Sequence, residues 1–204
     1  RPVALAGPAN RGGRLVADVI ADAQHGEATA RPIPRPQGTA IVRIGSLTAA
    51  MTGANRQALD ASGTKYFTVH THANQHAGYF PGAQPVHILM HVGADGQILG
   101  AQAVGADGVD RRIDVIATAM RAGLSATDLI DLDLAYAPPY GQAKDPVNQT
   151  GMVAHNVLTG ELVLTGPDAL TEDMPVLDVR TVGEYAAGHM PNSLNIPHTQ
   201  LRDR

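Results

Sequence analysis

The 204 residues contain no cysteine. Disulfides, thiolate nucleophiles and thiolate metal sites are therefore excluded within them. Tryptophan is also absent and aromatic residues make up only 3%, so any core must be aliphatic. Basic charge is scarce: the formal net charge is −4 and the sequence pI is about 6.1, which argues against a nucleic-acid partner. No apolar run approaches the roughly 20 residues of a membrane helix, and no signal peptide is recognisable. This composition predicts a soluble protein, and a cysteine-free chain fits the cytoplasm. The first residue is Arg1 and the last falls in mid-pattern, which reads as a fragment cut at both ends. The length allows one or two domains, and 44% hydrophobic residues suffice for a sizeable core.

What the chain does have is concentrated in Leu134–Asn148, LAYAPPYGQAKDPVN. Pro138 and Pro139 fix φ and remove two backbone donors, so the stretch is neither an ordinary helix nor a central strand. It carries two of the five tyrosines, Tyr136 and Tyr140. It is read as a rigid surface that meets a ligand or partner, with a proline-stiffened cover for the core as the alternative. Asp145-Pro146 marks the start of the helix that follows.

Upstream, Ala6-Gly7-Pro8-Ala9 reads as a turn, with Asn10 as N-cap of a helix carrying Leu15, Val16, Val19 and Ile20. Gly12 and Gly13 near its first turn suggest either close approach by another group or a glycine-tolerant helix start. Residues 29–37, with Pro32, Pro34 and Pro36, form an extended connector at a domain boundary. Strand-like segments follow at 39–54 and 65–72, with a short helix at 55–61 between them. A hairpin spans 85–104 about Asp95-Gly96. Helices are predicted at 110–122, closed by Gly123, and at 125–131, with Ser125 as N-cap. Strands followed by helices without βαβ alternation predict the α+β class: an antiparallel sheet with helices on one face.

AYAPPYGQAKDPVNQTGMVAHNVL resembles the C-terminal signature of the flavin-dependent pyridine nucleotide–disulfide oxidoreductases, in particular their coenzyme A-disulfide reductase branch. HAGYFPG at 76–82 resembles a second signature of that branch, with Phe80 where a second tyrosine is usual. VALAGPANRGGRLVADVI resembles the stretch where the flavin domain ends beside the isoalloxazine ring, which would place Gly7, Pro8 and Ala9 near FAD. LDVRTVGEYAAGHMPNSLNIP resembles the opening of a rhodanese domain, whose sulfur-carrying cysteine would come later in such a fold. The resemblance implies three parts: the tail of an FAD-binding domain with its linker (1–36), a dimerisation domain (37–163), and an incomplete α/β rhodanese segment (164–204). Residues 174–204 are accordingly expected to be poorly ordered on their own.

The resemblance further implies a homodimeric reductase using FAD, NAD(P)H and coenzyme A disulfide or a low-molecular-weight persulfide. Tyr79 and Tyr136 would reach the other subunit's active site as phenol donors to a departing thiolate, with Tyr140 competing with Tyr136 for that role. If Phe80 stands where the functional phenol belongs, an NADH oxidase or persulfide reductase of the same family becomes the alternative. The 204 residues alone are expected to be inactive. A non-enzymatic interaction or metal-binding module, built on His70, His72 and His76, is the competing class. No metal site is assigned, because these histidines lack a carboxylate in a fixed frame. His87 and His91 are expected at a surface or interface, Asp145 in a structural role, and Lys144 either beside a ligand phosphate or against the partner chain.

Overall fold

The computed structural model describes residues 5–166, 169–171 and 173–203. The chain divides into two compact units, Arg1–Leu162 and Val163–Arg204.

The first unit is built on a five-stranded antiparallel sheet. Its strands are β1 (Ala40–Ile44), β2 (Leu47–Gly53), β3 (Tyr66–Asn74), β4 (Pro85–Gly93) and β5 (Ile98–Gly105), in the spatial order β1-β2-β5-β4-β3. Helix α1 (Ala6–His25) precedes the sheet and α2 (Arg56–Ser62) joins β2 to β3. Helix α3 (Val109–Ala122) packs on β2 and β5, and α4 (Pro146–Leu158) on β3 and β4. Period-two alternation sends Val86, Ile88 and Met90 of β4 and Ala101 and Ala103 of β5 toward those helices. Ile113, Ile116, Leu129 and Val147 complete an aliphatic core. The architecture is the α+β layer predicted from the order of strands and helices. The opposite face carries exposed His70, His72, His87 and Val104.

Several details correct or extend the sequence reading. Ala6–Ala9 is not a turn but the first turn of α1, opened by Leu5 at the N-cap. Pro8 is tolerated there because its missing N–H would have had no intrahelical acceptor. Nothing lies within 4 Å of a Cβ built on Gly12 or Gly13. Asp22 is buried and accepts hydrogen bonds from Thr29 Oγ1 at 2.6 Å and from the amides of Thr29 and Ala30, both at 2.7 Å. The connector that follows is fastened to the domain: Gln37 donates to the Ala117 carbonyl and Arg121 to that of Arg35. Finally, the second helix predicted after α3 is a 3-10 turn, Thr127–Asp131. Its N-cap is Ala126 and not Ser125, which lies one residue earlier and exchanges hydrogen bonds with Asp128 through its hydroxyl and amide.

In the second unit, β6 (Leu177–Asp178) and β7 (Leu194–Asn195) pair in parallel, and α5 (Val182–Ala187) lies between them in sequence. Its described residues carry a local network: Arg180 binds Asp178 through two guanidinium nitrogens, and Thr181 and Glu184 close a capping box. Tyr185 stacks on His189 with ring centroids 3.7 Å apart. These contacts are short-range in sequence. Leu177, Val182 and Leu194 stay exposed.

Candidate functional site

Two loops at one end of the sheet hold the tyrosines. The first connects β3 to β4. Gln75 closes its neck: its amide donates to the Gln84 carbonyl at 2.9 Å, and its side chain accepts from Gln84 N and donates to Gly82 O. Inside, His76 is buried and meets Phe80 edge-on at 5.6 Å. Phe80 leans edge-on against His76 yet stays 37% exposed, while Tyr79 stands further out at 78% exposure.

The second loop runs from the end of the 3-10 turn to α4. Asn148 gathers its start, donating from Nδ2 to the carbonyls of Leu129, Ile130 and Leu132. The Pro138-Pro139 step is closed by Tyr140 N and Gly141 N, which both donate to Ala137 O. Asp145 ends the loop as N-cap of α4, in a capping box with Asn148. Gln142 reaches back to the Asn74 carbonyl at the foot of the first loop.

The two loops bring Tyr79 and Tyr136 together, with hydroxyl oxygens 3.5 Å apart. This is long for an O–H···O bond. The Tyr79 hydroxyl, and secondarily desolvation, holds the Tyr136 phenol above its ordinary value. Tyr136 is protonated at neutral pH, as a phenol is without any such shift. Tyr140 is not part of this pair. It is tied down through its backbone, and among the described residues its hydroxyl has no hydrogen-bond partner. Lys144 is exposed on the same loop, beside the structural Asp145.

The predicted cofactor-contacting residues lie elsewhere, on the first turn of α1. Gly7 and Ala9 are exposed and Pro8 is half-buried. Gly7 and Pro8 line an open cavity with Ile33, Thr39 and Asp114. The helix starts without a side-chain cap and without an acidic residue in its first turn. A helix start of this kind suits an electron-rich acceptor.

Among the described residues no three metal-ligating side chains converge. His72 and His87 form a cross-strand pair, Nδ1 to Nδ1 at 2.7 Å, on the open sheet face. Burial, then the neighbouring His87 and His70, hold His72 below its ordinary pKa. His91, expected at a surface or interface, lies inside this chain. It is fully buried at 0% exposure, edge-on to Tyr66 and hydrogen-bonded to Thr68, and burial followed by Arg56 lowers its pKa.

The residues that sequence reasoning missed are Arg111 and Arg112. They are adjacent on α3 and hold both loops. The available signal was an arginine on the helix's apolar stripe, since Val109, Arg112, Ile116 and Ala119 share one face.

The profile of the pyridine nucleotide-disulphide oxidoreductase dimerisation domain matches residues 39–146, and the chain belongs to this family. It is 38% identical over 121 residues to the coenzyme A disulfide reductase of Staphylococcus haemolyticus, covering 59% of this chain and 27% of that protein. The chain thus spans about a quarter of its curated relatives' length. Among solved structures, reduced Bacillus anthracis CoADR-RHD is 44% identical with a TM-score of 0.92, covering 100% of this chain and 37% of that one. A NAD-dependent persulfide reductase from A. fulgidus is 35% identical with a TM-score of 0.90, covering 100% of this chain and 36% of its own.

Proposed function

We propose that this chain is the dimerisation and active-site-completing part of a homodimeric, FAD-dependent and NAD(P)H-driven reductase. Its substrate is coenzyme A disulfide or a related low-molecular-weight disulfide or persulfide. Residues 1–36 belong to the end of the FAD-binding domain, 37–163 form the dimerisation domain, and 164–204 open a rhodanese domain. Among the described residues no helix is long and apolar enough to cross a membrane. We assign the reductase to the cytoplasm, the compartment that keeps thiols reduced.

The observation that carries this reading is the Tyr79–Tyr136 pair. Two outward phenols from different loops, 3.5 Å apart, can donate to one sulfur acceptor. Scission of a disulfide or persulfide leaves negative charge on a departing sulfur, and a positioned O–H donor stabilises that charge or supplies a proton. Tyr136, held protonated, is the proton donor. Tyr79 orients it and shares the acceptor. Phe80 does not remove this function on our reading, because the contact is made by Tyr79 while Phe80 packs on His76. Gly7, Pro8 and Ala9 would border bound FAD, which supplies two-electron transfer from NAD(P)H. The family and the similarity to a coenzyme A disulfide reductase and a persulfide reductase support the substrate class.

The test is anaerobic oxidation of NADH and NADPH by the complete protein, with coenzyme A disulfide and coenzyme A persulfide as separate acceptors, alongside sedimentation velocity. Turnover of either acceptor by a dimer is expected. Oxidation that requires oxygen and ignores both acceptors would place the protein with the NADH oxidases and defeat the proposal.

A further inference from the structure

Neither tyrosine loop is held by the sheet alone. Arg112 of α3 bonds to both loops, and its neighbour Arg111 bonds to the second. Arg112 is 2% exposed. Its Nη2 donates to the Gln75 carbonyl at 2.6 Å, at the neck of the Tyr79 loop, and to Asp145 Oδ2 at 2.7 Å, at the end of the Tyr136 loop. Its Nε adds a bond to Asp145 Oδ1 at 3.3 Å, and Nη1 donates to Gly108 O at 3.2 Å. Arg111, about 100° around the helix, points outward. Its guanidinium spans the mouth of the second loop, donating to Ala135 O and Tyr140 O, both at 2.7 Å. Those carbonyls bracket the Pro138-Pro139 step beside Tyr136. Gly108 makes room for this arrangement. It sits at φ +71°, and a Cβ there would lie 2.5 Å from Arg112 Nη1 and 2.9 Å from Gln75 Cβ.

We propose that Arg111 and Arg112 are positioning residues that fix the Tyr79 and Tyr136 loops relative to one another: Arg112 couples the two loops, and Arg111 closes the second around Tyr136. This inference rests on the functional reading above only for its effect on turnover. The geometric claim stands separately. Both roles need a planar fork with several fixed donors. A lysine ammonium keeps the charge but cannot reach two divergent acceptors in the same way. Electrostatics alone therefore does not account for the pair, and the conservative variants are informative.

The experiment uses Arg111→Lys, Arg112→Lys and the double variant. Each is prepared in the 204-residue chain with ring-labelled tyrosine, for NMR titration of each phenol, and in the complete protein for kinetics. Arg111 is partly exposed, with side-chain accessibility of 32%, so its variant remains informative if Arg112→Lys does not fold. Loss of the geometry is expected to return Tyr136 from its raised position toward the ordinary tyrosine value near 10. It is also expected to lower kcat/KM for the disulfide by roughly ten- to a hundredfold, with KM for NAD(P)H unchanged. Adding Tyr136→Phe to the Arg112→Lys background is expected to cost less than Tyr136→Phe costs alone. If Tyr136 titrates as in the parent chain in both lysine variants, the positioning role is overturned, whatever the activity. If Tyr136 shifts while turnover survives both the lysine variants and Tyr136→Phe, the positioning role holds and the functional reading falls.

Discussion

Replacing Arg112 by methionine leaves the Asp145 carboxylate buried without its counter-charge. Side-chain accessibility is 2% for Arg112 and 3% for Asp145, and the ion pair closes at 2.7 Å. After the substitution the carboxylate keeps the Val147 amide at 3.0 Å and the Arg111 guanidinium 4.0 Å away. Removing one partner of such a buried pair costs about 3–5 kcal/mol, because Arg111 at 4.0 Å offsets only part of the remaining charge. Asp145→Asn is instructive in the opposite direction. Asparagine caps a helix about as well as aspartate, so the start of α4 is retained and the stranded Arg112 charge dominates the loss. The double variant removes both charges. Its destabilisation is expected to fall short of the sum of the single variants by about 2–3 kcal/mol, at the upper end of measured coupling energies. For a chain of this length each single variant would lower the thermal midpoint by about 6–20 °C. The assay is urea unfolding of all four proteins, followed by circular dichroism. Additivity within about 0.5 kcal/mol would show that the two side chains do not act as a pair and would refute the reasoning.

Three further outcomes follow from the structure. Gly151→Ala is expected to lower the urea midpoint although alanine is the better helix former by about 1 kcal/mol. A Cβ at that position of α4 would lie 2.9 Å from Leu129 Cβ and 3.0 Å from Ala126 O; a raised midpoint would contradict the close approach. Tyr79→Phe is expected to bring the Tyr136 phenol down toward its ordinary value, because the Tyr79 hydroxyl is the first cause of its raised pKa. An unmoved Tyr136 titration would show that the two rings do not interact in solution. His72 and His91 are both held below the ordinary histidine pKa, chiefly by burial. The unfolded chain therefore takes up protons from about pH 6.5 downward while the folded chain resists. Stability is full above that pH and is expected to decline as the pH falls through it, with a shallower decline in His72→Gln; a midpoint that rises on acidification would reverse the sign.

Much of this fold is legible in local chemistry. Asp95-Gly96 fixes a hairpin whose partner runs are both apolar, and Asn55, Asp145 and the glycines at 63 and 123 mark helix ends with their own side chains or φ values. The start of α1 was misplaced because proline in a first turn resembles a turn signal. The fate of His91 was missed because it depends on Tyr66 meeting it edge-on and on Thr68 bonding to it across the ladder. Strand periodicity gives the face a side chain occupies but not what covers that face. Tyr79 and Tyr136 could be nominated from their motifs, but their meeting across 57 positions could not. Arg112 shows the limit most plainly. Its position on an apolar stripe was visible, whereas its acceptors, Gln75 O and Asp145, come from segments 37 and 33 positions away.

Tyr136→Phe in the complete protein tests the central claim most directly, because it deletes one hydroxyl and keeps the ring. Measured anaerobically with saturating NAD(P)H and limiting coenzyme A disulfide, kcat/KM is expected to fall by about 10²-fold or more, the scale of a lost general-acid contribution. The rate of flavin reduction by NAD(P)H is expected to be unchanged. Full disulfide turnover in that variant would contradict the assignment of this phenol to the departing sulfur.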